Sequence, residues 1–177
     1  SVSRDPSLFR IWLSRNYQNL KEKGSFSNHR QYTSIKDKGT GRTIESYVSW
    51  IGQNSSHTTF IDGVVNAVGS HPKDLFKELY KSMSSVMYFG RLGKFDYLTM
   101  VGKLGFLNIE PDSTYLNEST GPYKGATLLF NDSSKSSLNI KLNALEAHLG
   151  LSFGMQILED SICNWQKNPS NYIHFRG

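Results

Sequence analysis

The chain has 177 residues, 37% hydrophobic and 20% charged, which fits one globular domain with a sizeable core and excludes global disorder. No apolar run reaches the length of a membrane span and no signal segment is read at the start, so a cytoplasmic protein with no membrane partner is expected. A single cysteine excludes an internal disulfide framework and a Cys-ligated cluster held within the chain. The net charge of +5 is unevenly placed. Over residues 1–43, nine Lys/Arg stand against three Asp/Glu, a surplus of six that leaves the rest of the chain one charge below neutral. A basic amino-terminal quarter on a neutral body suits either a phosphate-contacting arm or a solvated surface without a partner.

Asp5-Pro6 predicts a helix start, with Asp as cap and Pro in the first turn, and Phe9, Trp12, Leu13, Tyr17 and Leu20 then form an apolar face ending at Gly24. Residues 25–41 are rich in Ser, Gly, Asn and Lys and read as a long loop. A second helix is expected over 43–52 and a third over 56–68, burying Phe60, Ile61, Val64, Val65 and Val68. Pro72 starts a fourth, carrying Leu75, Phe76, Leu79, Tyr80 and Met83, and short helices joined by turns continue to about Leu104. Residues 109–135 read as an irregular functional segment, with a weak strand signal at 127–130. Helices return over 138–149, closed by Gly150, and over 152–167. The expected architecture is one all-α domain over 1–177, with an irregular central loop and a functional core over 84–167.

Gly90-Arg91-Leu92-Gly93-Lys94-Phe95 joins an apolar helix end to a new helix. Glycines let a phosphate approach the backbone, the next helix aims free amides at it, and Arg91 and Lys94 add charge. Gly90, Arg91, Gly93 and Lys94 are thus candidate DNA-backbone contacts that read no sequence; an ordinary Gly-capped turn is the simpler alternative. This segment resembles the helix-hairpin-helix of the DNA glycosylase superfamily. In the lyase-type members a lysine lies two residues after the second glycine; Phe95 stands there and Lys94 is one residue early, which argues against Schiff-base chemistry. Asp112, in Ile109-Glu110-Pro111-Asp112-Ser113-Thr114, takes the place of that superfamily's downstream acid.

Two further segments sharpen the resemblance. Glu118-Ser119-Thr120-Gly121-Pro122-Tyr123-Lys124-Gly125-Ala126 resembles the Gly-Pro-Gly-x-x-Arg-Gly loop of phage thymidine-hypermodification enzymes, and Glu159-Asp160-Ser161-Ile162-Cys163-Asn164-Trp165-Gln166-Lys167 resembles their carboxy-terminal acid, Cys, aromatic and Lys pattern. The chain is most similar to the group formed by amino acid:DNA transferases and glutamyl/putrescinyl-thymine pyrophosphorylases. The resemblance implies transfer of an amino acid or other amine to the 5-methylene of pyrophosphorylated 5-hydroxymethyl-deoxyuridine, with release of pyrophosphate. The implied partners are double-stranded DNA carrying the modified thymine and a small amine or amino acid, in the host cytoplasm if the chain is phage-encoded.

Such an enzyme must expose its base, stabilise the leaving group and deprotonate the amine. Gly121, Pro122, Lys124 and Gly125 are candidate pyrophosphate ligands, with Lys124 replacing the more usual and bidentate Arg. At helical spacing Met155, Leu158, Ile162 and Trp165 share a core stripe, whereas Gln156, Asp160, Cys163 and Lys167 share another. Asp160 is a candidate base or amine holder, Lys167 a phosphate ligand, Glu159 a second acid, and Cys163 a nucleophile or a small packing residue. Asp112 and Asp160 both remain open as the base. Tyr88, Phe89, Tyr115 and Tyr123 flank the site as possible base-stacking rings. The five histidines have no metal-ligand spacing, and neither metal nor cofactor is expected. Two other readings stand beside transfer: a glycosylase acting through Asp112, and a non-catalytic DNA-binding module.

Overall fold

The computed structural model describes residues 4–24, 36–171 and 174. Among them there is no strand, so the all-α class is as expected; the helices are α1 (Pro6–Lys23), α2 (Arg42–Ile51), α3 (His57–Val68), α4 (Pro72–Ser82), α5 (Arg91–Lys103), α6 (Gly121–Phe130), α7 (Lys135–Leu149) and α8 (Gly154–Trp165). Most of the long loop expected over 25–41 lies outside the described residues, and its last part, Asp37–Gly41, is a π-helical turn leading into α2.

The chain divides into two compact units: Ser1–Gly69 with Glu78–Gly90, and Ser70–Lys77 with Arg91–Gly177. In the first, the Asp5 carboxylate accepts from the Leu8 amide at 3.1 Å with Pro6 at the first position of α1, an N-terminus the sequence announces. The apolar face of α1 is narrower than its spacing suggests. Leu13 is buried, whereas Trp12 is 48% exposed and stacks on Phe9. Arg10 bridges Asp37 at 2.6 Å and Glu45 at 2.8 Å, fixing the π-helical turn and α2 to α1. Trp50 packs edge-on against Phe60 and donates from Nε1 to Ser82 Oγ at 3.0 Å. The Ser56 hydroxyl caps α3 by accepting from the Thr59 amide. On α3, Val68 is exposed although its spacing assigns it inward.

The second unit holds the carboxy-terminal helices. Leu116, Ala126, Leu138, Leu142, Leu158 and Ile162 form its apolar core, with Tyr123, Phe130 and Leu145 packed against them. Helix α6 packs most extensively on α8, and α7 packs on both. Ser134 caps the start of α7, and Gly150 ends it at φ +60°, a conformation that costs glycine little. Beside that cap, Asp132 accepts from Ser134 N, Ser137 Oγ and Lys141 Nζ, which together hold its carboxyl well below the usual range. Phe76, Phe95 and Tyr115 make a three-ring cluster with centroids 6.0–6.3 Å apart.

Three local expectations are corrected. Residues 121–126, read as a loop, open helix α6, and 127–130, read as a weak strand, complete it. Pro122 reads as a breaker by composition, yet in the first turn its missing N–H has no helical acceptor to lose. The hairpin turn expected across Gly90–Gly93 is displaced: helix α5 starts at Arg91, so Gly93 lies inside its first turn and the bend and turn fall at 86–88. Helix α8 ends at Trp165, which is 37% exposed rather than core, and Lys167 lies in the turn beyond it.

Candidate active site

One buried guanidinium joins two of the candidate segments of the second unit. Arg91 is the first residue of α5, and its side chain is 10% exposed. Its Nη2 donates to Glu159 Oε1 at 2.6 Å and to the Thr114 carbonyl at 2.8 Å, and the guanidinium lies 5.5 Å from the centroid of the Phe95 ring. Arg91 Nε and Thr114 Oγ1 are buried with no partner among the described residues. The cation thus ties the segment carrying Asp112 to the helix carrying Glu159, Asp160 and Cys163.

Burial pushes the Glu159 carboxyl up, and Arg91 pulls it back toward ionisation. Asp160, next in sequence, is half-buried and accepts from Gln156 Nε2, so the predicted Gln156–Asp160 face forms. Asp112 is half-buried, and desolvation raises its carboxyl above the ordinary range. The Tyr115 hydroxyl donates to its Oδ1 at 2.6 Å, which opposes that rise. Tyr115 reaches back from a left-handed backbone at φ +51°. Its ring packs among Phe76 and Phe95.

Cys163 is half-buried. Desolvation and then Glu159 push its thiol up, while Lys167 opposes. A thiol held protonated lacks the thiolate that a nucleophile needs. Its close neighbour is Gly121, where an added Cβ would lie 2.6 Å from Cys163 Sγ. Four positions on, a Cβ at Gly125 would drive into the Ile162 backbone carbonyl. These two glycines allow α6 to approach α8 closely, and Pro122 is buried beside them. Of the four expected pyrophosphate ligands, Lys124 is the exposed one. Because the clash at Gly125 is with backbone, Gly125→Ala should destabilise the protein by about 1–3 kcal/mol. Thermal melts should show this as a fall of roughly 2–12 °C, with Lys124→Ala as an unchanged control.

At the expected DNA contact, Gly90 is exposed and Gly93 half-buried, while Arg91 and Lys94 are in the interior, Lys94 at 6% exposure. The two cations meant for phosphate are therefore turned away from solvent. The sequence places Arg91 at the DNA backbone and gives no sign of its bonds to Glu159 and the Thr114 carbonyl, or of the Tyr115 hydroxyl bond to Asp112. Nothing local marks these contacts, since Arg91 and Glu159 are 68 positions apart. Within the first unit, Ser7, Arg10, Ile11, Ser14, Arg15 and Asp37 line a cavity of about 350 Å³, and it contains none of the candidate residues. No helix among the described residues is long and apolar enough to cross a membrane.

No curated protein and no solved structure matches the chain. A family model described as alpha-glutamyl/putrescinyl thymine pyrophosphorylase clade 3 matches residues 1–177, the full length, and the chain belongs to that family.

Proposed function

We propose that this protein joins an amine to the 5-methylene carbon of pyrophosphorylated 5-hydroxymethyl-deoxyuridine in DNA and releases pyrophosphate. Family membership carries the broader statement, an enzyme of thymine hypermodification whose substrate is DNA with a modified thymine. The observation that supports the finer reading is the Arg91 bridge between Thr114, in the segment that carries Asp112, and Glu159, which directly precedes Asp160 on α8.

In the proposed step a carbon–nitrogen bond forms as the carbon–oxygen bond to pyrophosphate breaks. The proton leaves the nitrogen for a carboxylate, and the electron pair leaves with pyrophosphate. Asp112 is the base in this reading, because its raised carboxyl is a better proton acceptor than an ordinary aspartate. Asp160, oriented by Gln156, holds the incoming amine. Lys124, Lys167 and the free amides at the start of α6 receive the leaving group. The exposed turn ending at Gly90 contacts the DNA backbone.

Incubation with DNA bearing the pyrophosphorylated base and a panel including glutamate and putrescine tests this. Pyrophosphate and a nucleoside heavier by the amine are expected. Release of free base would favour the Asp112 glycosylase, and tight DNA binding without product would favour a binding module.

A further inference from the structure

We infer that Arg91 is a positioning residue of the active site, holding the Asp112 segment against helix α8, rather than a DNA-phosphate ligand. One Nη2 atom serves both sides, donating to the Thr114 carbonyl at 2.8 Å and to Glu159 at 2.6 Å. Thr114 lies two residues after Asp112 and directly before Tyr115, whose hydroxyl holds the Asp112 carboxylate. Glu159 directly precedes Asp160 and lies one helical turn before Cys163. The guanidinium therefore fixes the spacing between the acid on the loop and the acids on the helix.

The same geometry removes Arg91 from the DNA surface. A phosphate contact needs an exposed, uncommitted guanidinium, whereas this one is 10% exposed, neutralised by a carboxylate that is 7% exposed, and packed over Phe95. Lysine keeps the charge, but its ammonium sits on a flexible stem without the preorganised planar group that lies over Phe95, so it holds both partners less rigidly. The charge of Arg91 also favours ionised Glu159, which keeps the ion pair formed.

The inference rests on the proposed transfer reaction only for its kinetic readout. Arg91→Lys in the full chain should retain cooperative melting. Its kcat should fall at least about tenfold with DNA KM changed less than about twofold, the size expected when groups outside the chemistry position those within it. The salt slope of DNA binding should stay that of wild type, and hydrogen exchange at amides 112–116 should accelerate. Because lysine keeps the charge, the salt slope is decisive only in the double variant Arg91→Met with Glu159→Leu: a slope reduced by about 0.9 there, with unchanged kcat and unchanged exchange in Arg91→Lys, would mark Arg91 as a phosphate ligand and overturn the inference. Unchanged exchange alone also overturns it. If Arg91→Lys does not fold, the double variant Arg91→Met with Glu159→Leu removes both charges and is read in the same way. It should lose kcat similarly; wild-type turnover in it refutes the positioning role. A wild-type protein that transfers no amine sinks the transfer reading, while faster 112–116 exchange in the variant still supports the placement.

Discussion

Asp112→Asn should lower the rate of amine transfer by about 10²–10⁴-fold, the range contributed by a positioned general base. The amide keeps the size of the carboxylate and still accepts from the Tyr115 hydroxyl, so the loss isolates proton transfer from packing. Stability should move the other way. Burial raises the Asp112 carboxyl above its unfolded value, so ionisation is easier in the unfolded chain. The associated stability is complete below the unfolded pKa and is lost as pH rises through the folded one. At neutral pH the wild type carries that cost and the neutral variant does not, so its melting temperature should equal or exceed that of wild type. The wild-type rate should also rise with pH through an acid limb above the ordinary aspartate range, and the variant should lack this limb. Rate–pH profiles and melts on both proteins check this; wild-type turnover in the variant would transfer the base role to another acid.

Glu159→Leu should destabilise the protein by about 3–5 kcal/mol, the usual result of leaving a buried charge without its partner. Arg91 would keep its Thr114 carbonyl bond but lose the carboxylate at 2.6 Å, inside a site where both side chains are at most 10% exposed. For a chain of this length that corresponds to a melting temperature lower by roughly 6–20 °C. Removing both charges with apolar side chains should cost much less, because no unpaired ion then remains. Denaturant titrations of the single and double variants measure the difference. Equal losses in both would show that packing volume, not the buried charge, dominates at this position.

The parts of the fold that were legible are those encoded by neighbouring residues. Asp5-Pro6 before α1 and Gly150 after α7 each satisfy helix-end groups locally, and the sequence displays them, whereas Ser134, which caps α7, lies in the segment read as irregular. The buried face of α4 was equally plain, since Leu75, Phe76, Leu79 and Tyr80, and Met83 just beyond the helix, are all interior. Gly121, Pro122 and Gly125 misled because a turn and a close helix crossing select the same residue types. Only the facing helix distinguishes them, and here it is the Cys163 thiol and the Ile162 carbonyl that require the missing side chains. The acids of the site and Arg91 were all visible as residues, but the ion pair that joins Arg91 to Glu159 was not. Arg91 sits beside glycines, where the sequence suggests phosphate, and its carboxylate partner is brought to it only by packing.

The central claim, that an amine replaces pyrophosphate on a thymine methylene in DNA, is tested most directly by stoichiometry with a nitrogen-15-labelled amine. Pyrophosphorylated hydroxymethyluracil DNA is incubated with the protein, digested to nucleosides and analysed by mass, while pyrophosphate is measured in parallel. One pyrophosphate released for each labelled nitrogen joined to the nucleoside is the predicted result. Pyrophosphate release without label in the nucleoside, or an abasic site in its place, would contradict it.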